Sequence, residues 1–536
     1  MFLRCIVVGS EKDDVVPTSR KDLKVLINVR GNEKGDDVDD MLVNDVPQFC
    51  FPESPETYKE MFSNRQFVTY YPIILTSGNG ERVYGFCLRT RRIGKGNRHD
   101  VGWRFPVVLV ILSRNPDHRS FRSILSILTP YFWSGFESLK QAVEKMRSSL
   151  VGTHVLNQRM RVSHVRYGPP DTRVSPLLER FESEEILKLL GGMLSERRIL
   201  IIGKHFVSVA RCVIASISML YPFRWQHVLL PVVPDHLVAL TLSPMPYILG
   251  MRSSQFKSLG VEYGESLGTI VVANLDQGLV RVVSFSGEEG EENLPLPALD
   301  TKQPGTGLLK RHKHGAFNCV RLRRDIRAIR NRVRSSQQVK GRRVLGGDDD
   351  KKTKSIGLES VKFVVKGLEH RMGIYRNVIG VSEEKNLRTA ILTFFVRVFS
   401  KCERFVRRDN DGVSGNRRKF SIDLKAFAKS QPDRGVREMI LAMDGSQLLE
   451  RFVQSLKMYR EDKPSNLTCF MNAMKVYREG MDWSSAKDAV RLSLSTLKHE
   501  VQERCFLSLL LTHTHTHTHM HAHTMTTTTS TTRYST

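Results

Sequence analysis

Three kinds of residue could carry chemistry in this chain, and each has to be weighed first. "GNGERVYG" (78–85) and "IGKGNRHD" (93–100) hold closely spaced glycines, the raw material of a phosphate-cradling loop. A working loop of that kind needs a Lys-Ser or Lys-Thr end, or a place between a strand and a helix. The first stretch lies instead between two runs of alternating apolar residues, "FVTYYPIILT" and "RVYGFCLRT", which makes it a hairpin turn. The second lacks the spacing. His227 heads an apolar run after Trp225 and Gln226, with no companion pattern that would mark a nucleophile or a metal ligand. Glu184 and Glu185 open a helical pattern, where the helix dipole accounts for them better than acid–base work. No GxSxG, HExxH or kinase signature occurs. Covalent catalysis, a cofactor and a bound metal are therefore not expected.

The eight cysteines (Cys5, Cys50, Cys87, Cys212, Cys319, Cys402, Cys469 and Cys505) form no CxxC pair, which argues against a zinc site and for a reducing compartment. No uncharged apolar stretch is long enough to cross a membrane, and "MFLRCIVVGSEKDD" is too short in its apolar part for a signal peptide. A cytoplasmic protein recruited peripherally to membranes is the expectation.

The elements that would position these residues fall into three regions. Residues 1–150 read as short strands and turns ("RCIVVG", "KVLINVR", the 68–90 hairpin) with a fully apolar strand in "WRFPVVLVILS" and two helical patterns after it. Residues 151–285 alternate helix and strand. "SEEILKLLGGMLSERRILIIG" runs from a helix into the strand 199–202, and a second helix over 206–220 has apolar residues three and four apart. "HVLLPVV", "MPYILGM" and "GTIVVANLD" then follow as short buried strands, so a parallel or mixed sheet with right-handed crossovers is predicted. The strands 199–202, 227–233 and 269–275 should be neighbouring strands of one sheet, with helix 206–220 packed on it.

From 286 to 380 periodicity is lost. The segment is first acidic and proline-rich, then strongly basic, with fourteen Lys or Arg between 301 and 345, and reads as a largely disordered linker or insert. Helical spacing returns in "LRTAILTFFVRVFSKCERFV" and "REMILAMDGSQLLERFVQSLKMYR", giving a small all-helical module over 381–510. The His/Thr tail, 511–536, is of low complexity and cannot bury a core. The net charge of +26 favours anionic partners. Among the arginines of the insert (Arg321, Arg323, Arg324, Arg327, Arg330) only Phe317 is an interleaved aromatic. That disfavours nucleic acid and points to an anionic membrane surface, with a solvated linker as the other reading.

Read in order, these blocks resemble the DENN domain, most closely its connecdenn branch. The resemblance is carried by "PQFCFPE" (47–53), "LTSGNGERVYGFCLR" (75–89), "VVLVILSRNPDHRSFRSIL", the block from "LLGGMLSERRILIIG" to "LSPMPYILGM", and "IVVANLDQG" (270–278). It spans roughly residues 40–300 and, through "TAILTFFVRVFSKCERFV" and "DGSQLLERFVQSL", 385–460. It implies an α/β protein in three parts: a longin-like N-terminal lobe (an antiparallel sheet plus helices), a C-terminal α/β lobe with a central mixed or parallel sheet, and the helical module. It further implies guanine-nucleotide exchange on Rab-family small GTPases in membrane trafficking. The alternative is a DENN-fold scaffold that binds a GTPase or trafficking partner without exchange.

Candidate GTPase contacts are Arg197, Arg198, Tyr221, Trp225, Gln226 and His227. Trp225 and Tyr221 could be hot-spot aromatics on a proline-stiffened platform, or could seal the lobe's own core. Arg197 and Arg198 could pair with a helix end or contact the partner.

Overall fold

A computed structural model describes residues 3–11, 15–30, 40–59, 68–76, 81–91, 105–152, 174–284, 322–332, 381–408, 420–459 and 466–480. The N-terminal lobe is a five-stranded sheet of β1 (Arg4–Ser10), β2 (Leu23–Arg30), β3 (Val68–Thr76), β4 (Arg82–Thr90) and β5 (Val107–Ser113). Its order is β2-β1-β5-β4-β3 and every pairing is antiparallel. The apolar strand β5 takes the middle and is buried along its whole length. Alternation sends Val107, Leu109 and Ile111 to one face, against helices His118–Ser134 and Phe136–Gly152. Val108, Val110 and Leu112 go to the other, against helix α1 (Asp40–Cys50). That second cluster also takes in Ala210 and Val232 of the following lobe, so the lobes share a core along this face.

The central sheet runs β10-β9-β6-β8-β7, from β6 (Arg198–Gly203), β7 (Val228–Leu230), β8 (Tyr247–Arg252), β9 (Thr269–Asn274) and β10 (Leu279–Ser284). β9, β6, β8 and β7 are parallel neighbours and β10 closes the sheet antiparallel to β9, the mixed sheet expected from the buried strands. The three strands predicted as neighbours lie in one sheet, but only β6 and β9 are adjacent, since β8 separates β6 from β7. Helices Ser183–Leu194 and Phe206–Met219 cover one face and helix Ser253–Leu267 the other. Gly250 in β8 has a steric reason. A Cβ there would lie 2.0 Å from the carbonyl oxygen of Pro231, because residues 231–233 cross directly over the strand. The crossing is held by the Val233 amide donating to the Gly250 carbonyl at 2.7 Å.

The C-terminal module comprises helices Val381–Phe399, Leu424–Lys429, Arg434–Ala442, Gln447–Lys457 and Thr468–Gly480. It is not purely helical, since Val406–Arg408 and Phe420–Ile422 pair as a short antiparallel ribbon. Its apolar residues belong to one continuous cluster with the central lobe. Phe223 sits among Phe395, Phe399 and Phe452, at ring-centre distances of 5.2, 5.1 and 4.8 Å.

The expected linker, 286–380, needs a correction. Residues 322–332 form a helix, and its Leu322, Ile326 and Ile329 are buried in the same cluster. Spaced at i, i+4 and i+7, these three make one apolar stripe, which is why an arginine-rich stretch folds back onto the core. The rest of that segment and the His/Thr tail lie outside the described residues.

Candidate functional site

Parallel register brings the starts of β6, β8 and β7 to one edge of the central sheet, since Arg198 is level with Tyr247 and Tyr247 with Val228. Four of the six candidate contacts, Arg197, Arg198, Gln226 and His227, stand at this edge. The turn leading into β6 passes through Glu196 at φ 46°, a left-handed backbone that residues other than glycine rarely adopt. Arg197 beside it is exposed, and among the described residues its guanidinium has no partner. Arg198 is structural: it donates to the carbonyls of Thr269 at 3.1 Å and Ser243 at 3.4 Å, tying the starts of β9 and β8 to its own strand.

For the two aromatics the structure decides for the core. Trp225 is 2% exposed, its indole N–H donating to the Val228 carbonyl at 3.1 Å. Tyr221 is buried against the helical module, and its hydroxyl accepts from the Phe470 amide at 3.2 Å. Burial pushes that hydroxyl's pKa well above the usual tyrosine value. Neither ring offers a platform to a partner, because Trp225 is 2% and Tyr221 7% exposed. Gln226 is exposed and folds onto the Arg224 carbonyl at 2.8 Å.

His227 reaches Glu196, with Nε2 at 3.0 Å from Oε2 and both side chains under a tenth exposed. The two meet at ion-pair distance only, since His227 Nε2 makes no hydrogen bond, and the carboxylate is engaged elsewhere. It accepts from the amides of Gln447 at 3.0 Å and Leu448 at 2.8 Å, the start of helix Gln447–Lys457. With both partners enclosed, no reacting atom can approach. Glu185 is likewise structural, accepting from the Val280 amide at 2.6 Å to fix β10. Among the described residues no group of three or more His, Cys, Asp or Glu could hold a metal ion.

What the edge offers to solvent is Arg197, Gln226, Val228 and Met245, the last two 45% and 54% exposed. This is a small apolar patch with a cation beside it. The N-terminal lobe adjoins it through Arg82, which donates to the His227 carbonyl at 2.6 Å.

Elsewhere the same two lobes meet through charge. Arg89 lies over the rings of Phe51, Tyr71 and Phe206 at 4.8, 5.5 and 5.0 Å, and pairs with Glu53 at 2.8 Å. Burial alone would lower its pKa, but Glu53 and Tyr71 outweigh burial and hold it above the usual arginine value. Arg20 donates to His236 Nδ1 and stands 3.4 Å from Asp235, whose carboxylate also takes Arg252 at 3.0 Å. None of these seam residues was flagged by sequence, because their partners lie far away along the chain.

The arginines of the insert divide. Arg330 is 4% exposed and pairs with Glu182 at 2.5 Å, so it belongs to the fold and not to a membrane-facing set. Four residues after Ile326, it shares the inward stripe. Arg324 and Arg327 point outward, Arg323 is half-buried, and Arg321 lies outside the described residues.

Comparison with known proteins agrees with this architecture. Residues 33–90 match the family model "uDENN domain" and residues 104–278 the model "DENN (AEX-3) domain". The second match begins before β5, so it spans the end of the first sheet and nearly all of the second. DENN domain-containing protein 1B of Mus musculus is 29% identical over 251 residues, covering 44% of this chain and 30% of that protein. DENN domain-containing protein 1A of Xenopus laevis is 30% identical over 251 residues, covering 44% and 23%. DENN domain-containing protein 2A of Mus musculus is 27% identical over 235 residues, covering 40% and 22%. The matched region is thus less than a third of these relatives' length. Two family models in chain order, laid across two sheets that share a core, make this chain a DENN-domain protein of the connecdenn type.

Proposed function

We propose that the protein is a guanine-nucleotide exchange factor for a Rab-family small GTPase. The observation that carries this reading is the uDENN and DENN pair in chain order, whose lobes meet beside one exposed edge. Exchange needs no acid, base or nucleophile from the factor. The GTPase holds its nucleotide through Mg²⁺ and through loops that the phosphates order. A surface that binds the nucleotide-free form more tightly must, by linkage, weaken nucleotide binding by the same factor. Accelerating release by about four decades would require a difference of roughly 5.5 kcal/mol in binding. Arg197, Gln226, Val228 and Met245 are the residues we assign to that contact, with Trp225 and His227 supporting them from beneath.

The test is release of labelled GDP from a panel of Rab GTPases, with and without the full chain. Acceleration of one member by roughly tenfold or more is the expected result. Tight binding of a nucleotide-free GTPase with no acceleration would replace exchange by the scaffold reading.

The outward arginines favour a peripheral membrane role. Near an anionic bilayer each contributes about 1 kcal/mol, and the flanking sequence supplies more. Among the described residues no helix is long and apolar enough to cross a membrane. Sedimentation with vesicles containing about 30% phosphatidylserine should fall when Arg324 and Arg327 become Gln. Undiminished sedimentation would remove them from that role.

A further inference from the structure

Three bodies of the fold converge on two residues. From the helical module, Gln447 and Leu448 donate their amides to the two carboxylate oxygens of Glu196, at 3.0 and 2.8 Å. From the central lobe, His227 brings Nε2 to 3.0 Å from Glu196 Oε2. From the N-terminal lobe, Arg82 donates to the carbonyl of that same His227 at 2.6 Å. Arg82 is hydrogen-bonded to the His227 main chain, while Glu196 lies against its imidazole at ion-pair distance, without a hydrogen bond at Nε2.

We propose that Glu196 and His227 are a positioning pair that couples docking of the helical module to placement of the N-terminal lobe, and thereby sets the exposed edge between them. Its extension to GTPase binding rests on the exchange reading above; the coupling itself does not.

Capping does not explain the pair. Helix Gln447–Lys457 already has a side-chain cap, since Ser446 Oγ accepts from the Leu449 amide at 3.3 Å. Glu196 instead takes the two amides that this cap leaves open, and an anion there is favoured by the helix dipole. To do so it sits at φ 46°, a conformation held only where the surroundings dictate it. The histidine ring has little freedom to choose another partner. It is wedged edge-on against Trp225, with 5.3 Å between ring centres, and its side chain is 7% exposed.

The consequence for the edge is geometric. Gln226 and Val228 are exposed and flank His227 directly. A shift of the helical module pulls on Glu196, then on the imidazole, then on the backbone whose carbonyl Arg82 holds. Two sites that share a partner in this way should be energetically non-additive, whereas unconnected sites add.

The experiment is a mutant cycle on the full chain, read first by backbone hydrogen exchange with no partner present. Glu196→Ala should speed exchange in 447–457 and also in the strand 82–90, by about threefold or more in each. Arg82→Ala should speed exchange at 447–450 as well as in its own strand. In a His227→Ala background both cross-effects should vanish while the local effects remain. Loosening confined to 447–457 in Glu196→Ala would overturn the proposal, because Glu196 would then be a second cap and nothing more. Should the alanine variant fail to fold, Glu196→Gln keeps the side chain's length and one strong acceptor. It should give a weaker form of the same two-region pattern, and a purely local pattern would overturn the proposal equally. The second readout is affinity for whichever nucleotide-free GTPase the panel identifies. Losses from Arg82→Ala and Glu196→Ala should be non-additive there too, and additive losses would confine the pair to the resting fold. If the exchange pattern is found but no Rab GTPase is bound or accelerated, the coupling stands and the exchange reading falls.

Discussion

The central lobe touches its two neighbours in unlike ways. Toward the helical module the seam is mainly aromatic, with Phe223 nested among three phenylalanines, Tyr221 closing the side and the Glu196 carboxylate taking two amides at its rim. Toward the N-terminal lobe the apolar contact is supplemented by cations: Arg89 over three rings, Arg82 on a carbonyl, Arg20 on Asp235 and His236. A mainly aromatic seam is largely more core, stabilised by burial and little affected by salt. A seam held by charge responds to ionic conditions and loses much when one partner is removed. The helical module is therefore the constitutive attachment, and the joint between the lobes is the adjustable one.

The largest test of that contrast is Phe223→Ala. Stability should fall by about 3–5 kcal/mol in urea titrations, with the central lobe and the helical module still unfolding together. Two separated transitions would show that the seam is a docking contact and not a shared core. Trp225→Ala should cost a similar amount, as a buried ring would, and would sharpen the point that this residue supports the edge from below.

Next in size is Arg89→Met. It strands Glu53 in a nearly buried site and should cost about 3 kcal/mol, of which Glu53→Gln in the same chain restores part. No recovery in the double variant would mean that the rings over Arg89 matter more than its ion pair.

The pH response is smaller and belongs to the charged seam alone. Burial and Arg20 lower the pKa of His236 from its ordinary 6.5. Its neutral form is thus favoured by folding, and the contribution is complete above that pH and lost as pH falls below it. Melting temperature should decline as pH falls below about 6.5, and less steeply in His236→Asn. Equal slopes would remove His236 from the joint. Smallest of all, Arg324→Gln with Arg327→Gln should change stability by no more than about 0.5 kcal/mol, since both side chains point outward.

How much of this was legible in the sequence depended on the range of the signal. Strand β5, the 68–90 hairpin and helix 206–219 announced themselves because apolar period is a local property. The mixed sheet followed from strands too apolar to have a wet face. Trp225 and Tyr221 could not be resolved, because an aromatic at a strand head looks the same whether its cover is a partner or another part of the chain. The cover of Tyr221 includes Phe470, some 250 residues on. Helix 322–332 was readable in principle from Leu322, Ile326 and Ile329, but the arginines around them drew attention to charge. Arg330 was misplaced for the same reason, its partner Glu182 being far up the chain. Glu196 left no trace at all, since neither a left-handed glutamate nor its two distant amides has a local pattern.

Gly250 has a consequence that reaches beyond its own strand. Residues 231–233 rest on its bare α-carbon, and Val232, carried on that crossing, is inserted into the core of the N-terminal lobe. The crossing's height above the central sheet is thus set largely by main chain against main chain, with Val209 beside it. A single methyl added at position 250 would act as a shim, lifting the crossing and with it the depth to which Val232 enters the neighbouring core.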